Sequence, residues 1–290
     1  MLEITESQIN EYRNNGFIIV NKIIEKDEVD LLLNRFNKIF NGEYETGLDP
    51  DEVNWKKGRD DENLTRQICN GWKSDRYVAS VILQKAIGKA CALLGGWPGT
   101  RITQDNLLWK PPGGRPIGFH QDSSYEEFIT PNDWVSCWIA LDNTTASGGT
   151  VEYVAGSHLW HKTGKIKQFH GPNDPHEDLR LAMEKMNKGE LETIKVEVPA
   201  GGGTFHSGWI WHGSDVNKMD VPRRTIVAHC MSSDSKFNAN PAAINRTYSR
   251  YKRFGNIEME ETDFPILWTR DGYASPFIEP YSARQLGWAE

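Results

Sequence analysis

The chain has 290 residues, with 33 Lys and Arg against 40 Asp and Glu, for a formal charge of −7 at pH 7. That acidic balance argues against a nucleic-acid wrapper, though not against a local basic patch. With 38% hydrophobic and 25% charged residues, the chain has apolar material for a substantial core and a length that suits one or two domains.

Its apolar runs, such as Phe17-Ile18-Ile19-Val20, fall far short of the roughly 20 residues that cross a bilayer. Residues 1–16 lack the basic and apolar regions of a secretory signal, so a cytoplasmic chain is expected. Cys69, Cys91, Cys137 and Cys230 are scattered without a Cys-x-x-Cys, which suits core thiols rather than a thiolate zinc site or a disulfide framework. Most of the 11 Trp read as core filling.

No repeat, low-complexity segment or long linker interrupts the chain, so one continuous domain over 1–290 is expected. It divides into a helical part over about 1–100, a β core over about 101–235, and a helix and tail over about 236–290. Thr5 is an N-cap candidate for a helix that stops at Gly16, and a strand over Phe17 to Val20 follows. The spacing of Val29, Leu32, Leu33, Phe36, Ile39 and Phe40 predicts a second helix from Lys26 to Phe40 that packs on a sheet. After a polar stretch from Glu43 to Asn63, a third helix is predicted from about Ser74 to Leu94, capped by Ser74 or Asp75 and closed by Gly95-Gly96.

From Arg101 the texture changes to short apolar runs punctuated by Gly, Pro, Asn and Asp, the mark of strands and turns. The predicted strands are Ile102 to Lys110, Trp134 to Leu141, Thr150 to Val154, Thr193 to Val198, Gly203 to Trp211 and Arg224 to Met231. A polar insertion over 159–192, helical from about Pro175 to Met186, is either a lid or a decoration, and an amphipathic helix is predicted from Pro241 to Phe254. Strands of this kind preceded by helices point to a mainly β sandwich or barrel with helices covering one sheet.

The chemistry centres on Phe119-His120-Gln121-Asp122. Residues i and i+2 of an extended chain share a face, so His120 and Asp122 can grip one metal ion as neighbouring ligands. Two His and one carboxylate with open positions is the arrangement of non-haem Fe(II) oxygen chemistry. The third ligand has two candidates, His206 and His212. They are six residues apart, so strand alternation does not choose between them, whereas His212's place at the end of an apolar run, where Gly213 and Ser214 open the strand, favours His212. Beyond it comes Arg223, whose guanidinium suits a bidentate pair with a carboxylate. Neighbours on a strand face opposite ways, so only one of Arg223 and Arg224 points inward, and Arg223 is preferred.

With these residues in view, the sequence resembles the phytanoyl-CoA dioxygenase family of Fe(II)- and 2-oxoglutarate-dependent oxygenases. The likeness rests on Asn106 through Pro112, on Phe119-His120-Gln121-Asp122, on Trp138, on Gly148-Gly149 with Ala155-Gly156-Ser157-His158, and on Trp211-His212-Gly213-Ser214 through Asn217 to Arg223. The resemblance implies a double-stranded β-helix, a cupin-like jelly-roll, with iron held by His120, Asp122 and His212. It further implies 2-oxoglutarate held by Arg223, with Asn106, Trp138 and Ser214 lining that site; Arg66 is a looser basic candidate. O2 is the implied oxidant: 2-oxoglutarate goes to succinate and CO2 while a substrate C–H bond is hydroxylated or otherwise oxidised. Halogenating relatives replace the ligand carboxylate with Gly or Ala, so Asp122 disfavours halogenation.

Tyr125 and Phe128, just past the ligand triplet, and Trp209 are candidates for substrate contact, with core packing the alternative for Trp209 and Trp211. His158 reads as a turn histidine, His206 and His229 as satisfied interior histidines, and His170 and His176 as exposed. Glu126-Glu127 reads as a solvated turn. The segment 271–277 either folds over the barrel mouth or lies as a surface tail. No basic cluster argues for a CoA thioester, so a small polar or zwitterionic metabolite is the expected substrate, with neither nucleic acid nor membrane as partner. Two other functions suit the same residues: a cupin-like metal isomerase or dioxygenase that uses no 2-oxoglutarate, and a non-catalytic jelly-roll binding module.

Overall fold

The structure, a computed structural model, describes residues 2–160, 162–189 and 192–282; the predicted tail therefore lies outside the described residues from 283 onward. Helix α1 (Glu6–Asn15) begins as the sequence predicts. The Thr5 side chain accepts from the Gln8 N–H, the Gln8 side chain accepts from the Thr5 N–H, and Gly16 closes the helix at φ 81°. Strand β1 (Phe17–Val20) and helix α2 (Lys26–Phe40) follow, and α2 buries Val29, Leu32, Phe36 and Ile39.

The predicted third helix is two helices, α3 (Arg76–Ile82) and α4 (Lys85–Gly95), after the short strands β2 (Glu52–Val53) and β3 (Arg66–Cys69). Asp75 caps α3 through the N–H groups of Tyr77 and Val78. The break falls at Gln84, whose extended backbone restarts the helix while its amide donates to Glu28 on α2 at 2.6 Å. By length and apolarity Arg76–Gly95 passes as a membrane crossing, yet 67% of its most apolar window is buried within the protein. The segment is core packing.

The remaining elements are β4 (Gly99–Lys110), β5 (Ile117–His120), β6 (Ile129–Thr130), β7 (Trp134–Ala140), β8 (Val151–Tyr153), α5 (Glu177–Lys185), β9 (Ile194–Lys195), β10 (Gly203–Ser207), β11 (His212–Ser214), β12 (Arg223–Ser232), β13 (Lys236–Phe237), β14 (Ile266–Thr269) and α6 (Glu279–Ser282). The larger sheet runs β1-β10-β7-β12-β4-β3-β2, with β14 also on β4; the smaller runs β5-β11-β8-β9; β6 and β13 form a separate pair. These antiparallel sheets make the double-stranded β-helix, with the helices over the outer face of the larger one.

Alternation decides what each face meets. On β7, Val135, Cys137 and Ile139 enter the core shared with the helices, whereas Trp138 and Ala140 enter the core between the sheets with Tyr153, Ile210 and Val227. A strand buried on both faces reads as a near-continuous apolar run, which is how Trp134 to Ala140 appears, broken only by the buried Ser136. All four cysteines are buried and free.

Three expectations need correction. Strand β3 lies just past the stretch taken as polar and was not anticipated, although it pairs along β4 from Arg66↔Trp109 to Cys69↔Asn106. The strand predicted over 203–211 ends at Ser207, where Ile210 N–H donates back to the Ser207 carbonyl, and β11 starts in the other sheet. The helix predicted over 241–254 reduces to a short turn at Tyr248–Tyr251. There the side-chain carbonyls of Asn240 and Asn245 accept from the N–H groups of Ala242, Thr247 and Tyr248, a competition that Asn wins against helical bonds.

The insertion is a wall rather than a loose decoration. Leu179, Ala182 and Met183 of α5 pack on Phe119 and Trp211 outside the smaller sheet, and Phe169 and His170 reach the interior. The segment 271–277 does not cover the mouth. Ser275 is tied to Ile266 on β14, and Ile278 joins the helical core.

Candidate active site

His120 ends β5 and His212 begins β11, and antiparallel pairing sets the two residues directly opposite each other. Their rings lie 4.2 Å apart between centroids. Asp122 opens the short turn that follows β5 and brings Oδ1 to 3.2 Å from His120 Nε2 and 3.5 Å from His212 Nε2. One ligand atom from each of the three lies within 4.8 Å of the others.

The hydrogen bonds of the far ring nitrogens identify the chemistry. His120 Nδ1 donates to the Gly118 carbonyl at 2.8 Å and His212 Nδ1 to the Ile210 carbonyl at 3.1 Å. That fixes the tautomer with a free lone pair on each Nε2, both beside the Asp122 carboxylate. Two lone pairs and an anion in a buried cluster require a cation, and this donor set suits Fe(II) with positions left open. Burial alone would raise the Asp122 pKa, but His212 and His120 beside it hold the carboxyl well below its usual range. Burial and the neighbouring His120 push the His212 imidazole well below its usual value.

His206 is not the third member of this group. Because the chain turns after Ser207, His206 stays in the larger sheet and the parity of six residues does not apply. Its Nδ1 bonds the Tyr153 hydroxyl at 2.9 Å, and its Nε2 lies 3.4 Å from Asp122 Oδ2. A second set of partners reaches the same oxygen. The Asn106 amide donates to His229 Nε2 at 2.8 Å, His229 Nδ1 donates to Ser136 Oγ at 2.7 Å, and the Ser136 hydroxyl donates to Asp122 Oδ2 at 3.3 Å. This relay keeps His229 neutral, in line with burial pushing its pKa down to about 4. It also orients the carboxylate, as outer partners of metal ligands do.

Two chambers meet at His120 and Asp122. The smaller holds Trp138, Ser214 and Arg223. Arg223 is buried and lies along the Trp138 ring at 6.0 Å, donating to Thr225 Oγ1 and the Gly149 carbonyl, both at 3.2 Å, while its Nε has no partner. Arg224 points the other way and pairs with Asp142 at 2.6 Å. Gly149 is at φ +62°, and a Cβ there would lie 2.7 Å from the Asp215 carbonyl, so only glycine lets its carbonyl reach Arg223. Lys110, fully buried, donates to Ser214 Oγ at 2.7 Å and to the Asp215 carbonyl. Its pKa falls well below the usual value, through burial first and the Arg223 charge second.

The larger chamber, about 240 Å³, receives Tyr125, Glu126 and Tyr248 as well as Phe169 and His170 from the insertion. The other predicted contacts lie elsewhere. Phe128 is buried against Phe237 and Tyr248 in a separate cluster. Trp209 donates from Nε1 to the Asn132 carbonyl and carries Lys162 over its ring. Arg66 pairs with Glu62 and stacks on Trp55, because alternation on β3 sends Gln67 inward and Arg66 outward. His158 bonds the Arg13 carbonyl, as a turn histidine does. His170 and His176 are half-buried rather than exposed, and burial lowers the His170 pKa to about 4.

Glu126 overturns the solvated-turn reading. It is 4% exposed, without a side-chain hydrogen bond among the described residues, and burial followed by the nearby Asp122 charge pushes its pKa up to about 8. The unfolded chain releases this proton near a free glutamate's 4.5 and the folded chain only near 8, so the group costs stability as pH rises through that window. Glu126→Gln removes the cost. In metal-free protein, the variant is expected to melt with the parent at pH 5 and to be more stable at pH 8.5, by roughly 2–4 kcal/mol in denaturant titrations.

The family model described as Phytanoyl-CoA dioxygenase (PhyH) matches residues 12–225. A probable alpha-ketoglutarate-dependent hypophosphite dioxygenase of Stutzerimonas stutzeri is 25% identical over 235 residues, 79% of each chain. The peroxisomal phytanoyl-CoA dioxygenase of Homo sapiens is 23% identical over 253 residues, 81% of this chain and 70% of that one. Among solved structures, the non-heme alpha ketoglutarate dependent epimerase SnoN from nogalamycin biosynthesis superposes with a TM-score of 0.67 at 19% identity, over 90% of this chain and 98% of its own.

Proposed function

This chain belongs to the phytanoyl-CoA dioxygenase family, and from that premise we propose how its two chambers divide the work of an Fe(II)- and 2-oxoglutarate-dependent oxygenase. The enzyme oxidises a small metabolite with O2, iron and 2-oxoglutarate. In the hydroxylation form of the reaction, 2-oxoglutarate, O2 and R–H give succinate, CO2 and R–OH.

One observation carries the assignment of the smaller chamber. Arg223 lines it and the buried Lys110 lies behind Ser214, and among the described residues neither forms an ion pair. Burying an unpaired charge is costly, and a dicarboxylate that enters to meet them removes that cost. Arg223 offers its fork to the distal carboxylate, with Ser214 oriented by Lys110 as an added donor. Trp138 shields the pair from water. When bound, Fe(II) held by His120, Asp122 and His212 supplies the oxygen chemistry, while the relay through Asn106, His229 and Ser136 holds Asp122 in place.

The larger chamber takes the substrate. Its volume lies below the roughly 300–1,000 Å³ of drug-sized pockets, and Glu52 and Glu126 on its walls disfavour the phosphates of a CoA thioester. Hypophosphite and phytanoyl-CoA are the substrates suggested by two relatives' names. Both are anions, and neither has the basic character that acidic walls select.

Anaerobic titration of the apo-protein with Fe(II) and then 2-oxoglutarate tests the cofactor chamber. A weak visible charge-transfer band is expected when both are present. Bound iron without that band would remove 2-oxoglutarate and promote the cupin-like alternative.

A further inference from the structure

Two of the metal ligands, His120 and Asp122, border the larger chamber, and Glu126 borders it too. Its carboxyl is buried, borders the cavity, and has neither hydrogen bond nor ion pair among the described residues. Glu52, which also borders the chamber, is held by the Thr247 hydroxyl; Glu126 has no such partner among the described residues. A buried polar group left without one is costly and calls for an explanation.

The surroundings narrow the answer. Trp134, Tyr248 and Tyr125 border the same space, and aromatic faces beside a carboxylate form a setting for an organic cation. A second metal does not fit, because His120, Asp122 and His212 are the only such ligand cluster among the described residues. Lys165 borders the chamber but is exposed, and it makes no ion pair with Glu126 within 4.0 Å.

We propose that Glu126 selects the substrate by receiving a protonated nitrogen of the amine, amidine or guanidine class inside the larger chamber. The inference rests on the oxygenase reading of the site, because the chamber shares His120 and Asp122 with the metal centre and an anchored nitrogen holds the adjoining carbon skeleton in that chamber. A cation docking on Glu126 takes the place of the proton that burial retains there.

The test compares charged probes with neutral isosteres. Full-length protein loaded with Ni(II) and 2-oxoglutarate, or with Ni(II) alone, is titrated with acetamidine and benzamidine and, in parallel, with acetamide and benzamide. Binding is followed by ligand-observed NMR. The amidines are expected to bind at least about tenfold more tightly than the amides. Glu126→Gln is expected to bring each pair to parity, and Glu126→Asp to restore part of the preference. Thermal melts in the same buffer confirm that the variants are folded. Equal binding of amidines and amides, a preference that survives in Glu126→Gln, or no amidine binding at all overturns the proposal. No step depends on turnover, so a failed 2-oxoglutarate reading, seen as absent succinate and an absent charge-transfer band, is separate from a failed Glu126 reading.

Discussion

Asp122→Ala is expected to abolish turnover, with kcat falling by at least about 10³-fold, well beyond the roughly 10–100-fold loss typical of an outer partner of a metal ligand. Among the described residues, Asp122 is the only anion between the two free Nε2 lone pairs of His120 and His212. Without it the imidazoles still face the cavity, but the site loses its charge match to a dication and one of its three protein ligands. The fold is expected to survive, since the substitution removes a buried carboxylate rather than a packing surface. Iron content by metal analysis should fall with activity while the far-ultraviolet spectrum and melting curve of the apo-protein stay near those of the parent. Ser136→Ala is the graded comparison: it removes only the hydroxyl that steadies Asp122 Oδ2 at 3.3 Å and should cost roughly 10–100-fold in iron affinity or activity. Full turnover in Asp122→Ala would place the reaction at a different metal site.

What could be read from the chain depended on how local each feature was. The His120-x-Asp122 pair needs only an extended segment and the turn that follows it. Choosing His212 over His206 needed to know where the strand ends, and the parity of six residues misleads once the chain turns after Ser207 and β10 and β11 join different sheets. Alternation within β12 said that only one of Arg223 and Arg224 faces inward, and the spacing from His212 in the family resemblance pointed to Arg223. The same rule, applied to β4, would have found Lys110: Asn106 and Leu108 line the cavity, and the next inward position is a fully buried lysine. Glu126 had no such signal. It follows a short turn from Asp122 to Tyr125 that buries Glu126 and exposes Glu127, and irregular backbone has no period to reveal which neighbour goes inside. Phe128 failed as a substrate residue for the same reason, since three further residues carry it past the cavity into the cluster around Phe237.

Arg223→Ala is expected to raise the KM for 2-oxoglutarate by about 10²-fold or more while changing the rate at saturating co-substrate much less. Removing a charge-assisted, bidentate partner from a buried carboxylate costs on the order of 2–4 kcal/mol. That contact lies at the end of the co-substrate remote from the reacting carbon, so its loss weakens ground state and transition state together, which appears in KM. Arg223→Lys should recover only part of the affinity, because an ammonium is a point charge without the fork and is shorter. Stability should move little or improve. Burial already pushes the Arg223 pKa down to about 10, a sign that its charge is uncomfortable where it sits, and its two hydrogen-bond acceptors, Thr225 Oγ1 and the Gly149 carbonyl, are each 3.2 Å away. Arg224→Ala is the matched comparison: it breaks the partly exposed pair with Asp142, should cost no more than about 1 kcal/mol of stability, and should leave KM unchanged. Initial rates of succinate formation across 2-oxoglutarate concentrations distinguish the two sites. An unchanged KM in Arg223→Ala would move the co-substrate carboxylate toward Ser214 and the Lys110 behind it.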